Sequence, residues 1–275
     1  MVLSELRKVP HLSASSVGEY VECSLAYKFG RIDKLPMDFK SDALEFGTCI
    51  HRVLEQYYQE KMIGEKLLLK DIHQLFESTW KSIANGRDDI RYSNDHDYKS
   101  LLMYGKDLLT TWYNKLPDDN YKILAIEEAF SFSLPDIDIP IIGAMDLVEE
   151  DNAGTIIITD FKTSGRAYSI DEADHNQQLT VYQIAAKNNG FSNQEILLRF
   201  DVLIKTKTPK FEQYYTTRSV IDETRLIRKI AQVWDGICKG VFVANDTSWK
   251  CKGCAFKKAC DQYLEGENYD PANHQ

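Results

Sequence analysis

Two hydrophobic periods alternate along the chain and divide it into elements. Between residues 98 and 116 the apolar positions Leu101, Leu102, Leu108, Leu109, Trp112 and Tyr113 recur every three or four residues, which predicts an amphipathic helix. Similar stretches predict helices over about 44–61, 70–84, 171–188 and 221–239. Ser13-Ala14-Ser15-Ser16 supplies N-cap chemistry for a first helix running to about Phe29. Short apolar or alternating runs predict strands at about 122–134, 140–149, 155–162, 196–205 and 211–217. The polar segment from Asn85 to Asp97 reads as a loop. Helices first, then a sheet interrupted by one helix, describe an α/β protein with a helical insertion.

In two of the predicted strands an acid closes the run of apolar residues. Ile139-Pro-Ile-Ile-Gly-Ala-Met-Asp146 and Thr155-Ile-Ile-Ile-Thr-Asp160-Phe161-Lys162 flank Asp151-Asn152-Ala153-Gly154, a turn signal. A hairpin across that turn can bring Asp146 and Asp160 together. Two carboxylates about 4 Å apart repel by roughly 4 kcal/mol at an effective dielectric of about 20, and a divalent cation between them reverses the sign. Lys162, two residues after Asp160, shares its strand face. Hard oxygen ligands beside an ammonium suit a cation that activates water against a phosphate.

The 275 residues are 43% hydrophobic and 27% charged, an ordinary composition for a globular protein with no apolar run of membrane-spanning length. The opening Met-Val-Leu-Ser-Glu-Leu-Arg-Lys lacks the apolar core of a secretory signal, so an intracellular, cytoplasmic and reducing setting is expected. Net charge is −9, yet the stretch from Arg199 to Cys260 holds 13 Lys and Arg against 6 Asp and Glu. That balance is compatible with a local polyanion site or with a solvated face of mixed charge.

In such a compartment cysteines are more often ligands than disulfides. Cys251-x2-Cys254-x5-Cys260 has ligand spacing and needs a fourth donor, for which Cys23 is the best candidate; zinc and an iron–sulfur cluster both fit. Cys49 and Cys238 have no such neighbours and are expected to be small buried apolar residues. His51 and Glu55 lie four apart on a predicted helix, and Gly47 before them allows close approach of another backbone. His51 could supply the nitrogen ligand that the two acids lack. Gln178 and Tyr182 share the same spacing and could hold a nucleic-acid strand or order the lysine.

Taken together these residues resemble the RecB-like branch of the PD-(D/E)XK nuclease superfamily. The resemblance is to its iron–sulfur members: the AddB nuclease domain, CRISPR-associated adaptation exonucleases and stand-alone phage relatives. It runs from Ser13 to Cys260 and rests on six motifs in order. These are Ser13 to Cys23, Gly47-x3-His51, Gly143-Ala-Met-Asp146, Asp160-Phe-Lys162-Thr-Ser, Gln178-x3-Tyr182 and Cys251-x2-Cys254-x5-Cys260.

The resemblance implies a restriction-endonuclease-like core, a central mixed sheet flanked by helices, in one domain over 1–275. Within it, about 44–116 forms the helical portion, about 120–217 the catalytic sheet, and Cys23 with about 248–264 the iron–sulfur region. His51, Asp146, Asp160 and the Phe161 carbonyl would ligate Mg2+ or Mn2+. Lys162 would orient water and offset charge on the scissile phosphate, with Gln178 and Tyr182 positioning DNA or ordering Lys162. Cys23, Cys251, Cys254 and Cys260 would hold a structural 4Fe-4S cluster. An additional acid is expected at Glu127 or Glu128. The implied activity is hydrolysis of DNA, preferentially single-stranded and from an end, in recombination, repair or CRISPR or phage DNA processing. No G-x4-G-K-S/T loop is present, so a helicase motor would have to come from a partner. The rival readings are a cluster-stabilised DNA-binding subunit without catalysis, and a zinc-stapled nuclease.

Overall fold

A computed structural model describes residues 2–93, 95–117 and 119–266. The predicted order of elements is the observed one. Helix α1 (Ala14–Glu22) opens with a capping box formed by Ser13 and Ser16, and three longer helices follow: α2 (Asp42–Met62), α3 (Leu69–Ala84) and α4 (Tyr98–Lys115). Then come strands β1 (Lys122–Phe132), β2 (Ile141–Glu150) and β3 (Ile156–Ser164), helix α5 (Gln177–Ala186), strands β4 (Ile196–Ile204) and β5 (Lys210–Thr216), and helices α6 (Val220–Cys238) and α7 (Lys257–Glu265).

The five strands form one mixed sheet in sequence order. All neighbours are antiparallel except β3 and β4, which run parallel and are connected through α5. The hairpin between β2 and β3 turns where expected: Asp151 Oδ1 accepts from the backbone N–H of Ala153 and Thr155, both at 2.8 Å, and Gly154 takes φ 85°. The two faces of the sheet carry separate cores. On one, Val148, Ile158, Phe200 and Val202 pack against α1, α5 and α6. On the other, Leu147, Phe161, Leu203 and Phe211 pack against α2, α3 and α4. Covering both faces explains why successive residues are buried along most of β3 and β4 rather than every second one.

Four expectations need correction. The helix expected to run to about Phe29 breaks at Cys23, which adopts φ −160° and ψ 101°; a short helix resumes at Ser24. The break turns the chain toward the C-terminal segment, where Leu25 N–H donates to Val243 O and Val243 N–H donates to Ser24 Oγ. The helix expected over 171–188 is likewise two, because Asn176 caps α5 by accepting from the N–H groups of Gln178 and Leu179. The segment 85–97, of which Asn94 lies outside the described residues, contains Ile90–Arg91, paired in parallel with Lys40–Ser41. Cys49 is buried, as expected, but Cys238 is exposed at the end of α6.

Candidate active site

The regular β2–β3 ladder ends at Leu147 opposite Thr159. One residue further, the Asp146 carboxylate replaces the backbone and accepts the Phe161 N–H at 2.7 Å. Strand β3 continues in register with β4 as far as Ser164. The edge of the cleft is therefore set by hydrogen bonding: β2 stops pairing with β3 where the acids begin.

Four side chains close a ring there. Lys162 Nζ lies 2.7 Å from Asp160 Oδ2 and donates to Gln178 Oε1 at 2.8 Å. Gln178 Nε2 donates to Tyr182 Oη at 2.9 Å, and Tyr182 Oη donates to Asp160 Oδ1 at 3.0 Å. Asp160 and Tyr182 are buried, so their contact forms in a poorly solvated place, while Lys162 and Gln178 keep part of their surface open. Burial works against the Lys162 ammonium, but the nearby Asp160 outweighs it and the net shift is upward, so Lys162 is charged. Burial also pushes the Tyr182 hydroxyl well above its usual range, with Asp160 and Asp146 adding to the effect.

On the other side of Asp146, His51 Nδ1 from α2 is 3.5 Å from Asp146 Oδ2. Burial lowers the His51 pKa; Asp160 opposes this and Lys162 adds to it, leaving the neutral imidazole that a cation needs as a ligand. The His51 ring meets the Phe161 ring edge-on at 6.1 Å, and Tyr58 from the same helix stacks on Phe161 at 5.5 Å. Next to Gly47, one turn earlier, is a side-chain hydroxyl, that of Thr163. The expected approach of another backbone is not what that glycine serves.

Strand β1 supplies a third acid. It pairs with β2 at Ile126↔Leu147 and Glu128↔Met145, which places Glu127 across from Asp146. Glu127 sits at φ 50°, a left-handed conformation rare for a residue with a Cβ. Ligand atoms of His51, Glu127 and Asp146 all lie within 4.8 Å of one another. This set differs from the one expected: Glu127 joins, and both Asp160 oxygens are engaged by Tyr182 and Lys162. The choice between Glu127 and Glu128 rests on backbone conformation and register, neither of which the sequence displays.

The carboxyls pay for this proximity in proton affinity. Burial, then Asp160, hold Asp146 well above the usual carboxylate range, although the Phe161 N–H pulls the other way. Partial enclosure, then the charges of Glu55 and Asp160, push Glu127 up to about 7, with Arg7 opposing. Such mutually repelling acids are what a hard divalent cation relieves, and one imidazole with carboxylate oxygens is a fitting donor set. Gly143 in β2 is required nearby, since a Cβ there would come within 2.5 Å of the Phe130 ring.

At the far end of α1, Cys23, Cys251, Cys254 and Cys260 line one cavity of about 1090 Å³. Backbone N–H groups of Asn245 and Phe256 donate to the sulfurs of Cys23 and Cys254, both at 3.5 Å. Burial raises the thiol pKa of Cys254 and of Cys260, and Cys23 and Cys251 reinforce both shifts. These are the four cysteines singled out in the sequence, and they line this one cavity. The sequence left the basic C-terminal third open between a local polyanion site and a solvated face of mixed charge, and not all of its cations lie at the surface. Arg199 is buried between Glu149 and Asp201, 2.9 Å from each, and Arg218 is buried where it donates to Thr180, Thr216 and Ala173 O. Lys239, Lys250 and Lys257 pair with Asp235, Glu22 and Asp261.

A mixed sheet whose central strands carry convergent acids beside an ammonium is the architecture of a phosphodiester hydrolase. The sequence pattern of the PD-(D/E)XK nuclease superfamily matches residues 11–261, and the chain belongs to that superfamily. It is 27% identical over 281 residues to the gene 69 protein of Mycobacterium phage D29, covering 92% of this chain and 97% of that one. A Eubacterium rectale protein provisionally described as an exonuclease has a similar structure, with a TM-score of 0.54 at 11% identity over 88% of this chain and 87% of its own. That second likeness is one of fold. The protein is a nuclease, and no helix among the described residues is long and apolar enough to cross a membrane.

Proposed function

We propose that the protein is a Mg2+- or Mn2+-dependent deoxyribonuclease that degrades single-stranded DNA from an end, with a 4Fe-4S cluster fastening its terminal segments. The observation that carries the catalytic part is the closed ring of Asp160, Lys162, Gln178 and Tyr182 beside the convergent donors of His51, Glu127 and Asp146. His51, Glu127 and Asp146 would hold a divalent cation, with Asp160 and the Phe161 carbonyl at its border. Such a cation supplies Lewis acidity to a phosphate oxygen and to the attacking water. Lys162, fixed between Asp160 and Gln178, offsets charge developing on the phosphate and orients the water. Gln178 and Tyr182 hold that ammonium in place.

For the cysteines, four thiols around one cavity, with backbone N–H groups aimed at Cys23 and Cys254, suit thiolates bound to a 4Fe-4S cluster. A helicase or another nuclease-complex subunit is the partner such an enzyme would use on duplex DNA.

Digestion of 5′- and 3′-labelled single- and double-stranded DNA with Mg2+ or Mn2+, alongside Lys162→Ala, tests the reading. Single strands should shorten progressively from one end, and Lys162→Ala should lose activity by at least about a hundredfold with its fold intact. Binding without cleavage by the wild type would favour a non-enzymatic subunit. Anaerobically purified protein should be brown; a colourless protein with stoichiometric zinc would reject the cluster.

A further inference from the structure

The cleft in front of the acids is short of cations. Glu55, Glu127, Asp146 and Asp160 place four carboxylates within mutual influence, and the charge of Lys162 is taken up by Asp160. A phosphate chain entering such a cleft is repelled unless cations meet it on the walls. Among the described residues lining the cleft, a cavity of about 580 Å³, the permanently charged cations are Arg7 and Arg31. They reach it from two segments that the catalytic motifs do not include. Arg7 belongs to the N-terminal arm, which is anchored by the Leu12 N–H donating to Pro140 O and the Ile142 N–H donating to Leu12 O. Its guanidinium is exposed and has no hydrogen bond or ion pair among the described residues, while its charge acts on Glu127. Arg31 follows the Cys23 break and lines both this cleft and the cysteine cavity. Glu19 grips it from one side, Oε2 accepting from Nε at 2.8 Å and Oε1 from Nη2 at 2.7 Å, which leaves Nη1 for another acceptor.

We infer that Arg7 and Arg31 form a phosphate-binding wall for the substrate strand, engaging phosphodiesters that flank the bond placed at the acids. The wall continues from the active-site cleft past Arg31 toward the cysteine cavity, so the strand lies along the seam between the sheet and the cysteine module. The planar guanidinium fork of each arginine suits a phosphate anion. This inference rests on the nuclease reading given above.

Arg7→Gln and Arg31→Gln, separately and together, test it by steady-state cleavage of a labelled single-stranded DNA and by its binding in Ca2+ over a series of salt concentrations. Each substitution should raise KM roughly tenfold with kcat within about twofold. The slope of log binding constant against log salt should fall by about 0.7 per arginine, as expected for one phosphate contact on a single strand. Glu19→Gln separates a contact from a structural role. Freeing Arg31 of its competing carboxylate should tighten binding, whereas a loss matching that of Arg31→Gln would mean that the ion pair matters only for the fold and would overturn the Arg31 assignment. Wild-type cleavage with unchanged KM and salt slope in the folded variants overturns the wall and leaves the nuclease standing. Failure of the wild type to cleave with any divalent ion overturns the nuclease reading instead, and the salt slopes in Ca2+ then still judge the wall.

Discussion

Glu127 shows how a single residue can set the chemistry of the site against the comfort of the fold. Its left-handed backbone costs on the order of 1 kcal/mol, and its carboxyl, on a residue still open to solvent, is pushed up to about 7 by partial enclosure, Glu55 and Asp160. Between the ordinary glutamate range and about 7, the folded metal-free protein keeps a proton that the unfolded chain has released. Folding then takes up a proton, so the stability of the metal-free protein falls as pH rises through that window. A bound cation displaces the proton and reverses the trend. The thermal stabilisation given by Mn2+ should therefore be larger at about pH 8 than at about pH 5.5. Glu127→Gln should flatten this dependence, leave the metal-free protein at least as stable at the higher pH, and lower cleavage by about a hundredfold or more. Melting curves with and without Mn2+ at both pH values, beside a cleavage assay, check it; an unchanged Mn2+ response in Glu127→Gln would remove Glu127 from the ligand set.

Among the elements, helices α3 and α4 meet at a glycine. A Cβ at Gly105 would come within 2.0 Å of the Phe76 ring, which is fully buried between the helices and the sheet. Alanine is favoured over glycine in a helix by about 1 kcal/mol. Here overpacking should dominate, and Gly105→Ala should destabilise the protein by about 1–3 kcal/mol in urea unfolding. Stabilisation instead would mean that the two helices separate easily. Element identity was legible because each hydrophobic period is sustained: the spacing of Leu101, Leu108 and Trp112 fits only a helix, and Ile156-Ile157-Ile158 only a strand covered on both faces. What escaped the sequence was decided by single polar groups and by pairing. Asn176 starts a new helix by capping it, Cys23 breaks one to dock on residue 243, and Ile90–Arg91 pairs with a distant dipeptide. The same limit applied at the site. Asp146, Asp160 and Lys162 could be read from strand periodicity, while Glu127 needed the β1–β2 register and Arg7 needed the path of the N-terminal arm. The burial of Arg199 could not be read, because alternation in Leu198-Arg199-Phe200-Asp201 looks the same whether the polar face meets water or, as here, a buried ion pair.

Across the whole molecule, the cysteine module ties the first helices to the last. A cluster joining Cys23 to Cys251 closes nearly the full chain, and by analogy with disulfide loop entropy such a link could disfavour the unfolded state by up to about 5 kcal/mol. The two segments are also fastened without it. Tyr20 donates to Val241 O at 2.6 Å, Asn245 Nδ2 to Glu22 O at 2.7 Å and Ser248 Oγ to Glu22 Oε1 at 2.8 Å, while Phe29 and Phe256 pack with Leu25 and Leu35. Loss of the proposed cluster should therefore loosen the module locally and leave the sheet folded. Arg31 rides on this module through its neighbour Gly30, where a Cβ would press to 3.1 Å from Phe256. The ring around Lys162 is built on β3 and α5 instead, within the other core. Cys251→Ala should then bleach the protein, increase hydrogen exchange around residues 20–32 and 241–264, and raise KM several-fold. The sheet should keep its protection, and kcat should change much less than KM. Exchange mapped by peptide, alongside kinetics on single-stranded DNA, measures both. A fall in kcat at constant KM would place the module's influence on the catalytic ring, and global loss of protection would make the cluster a condition of folding.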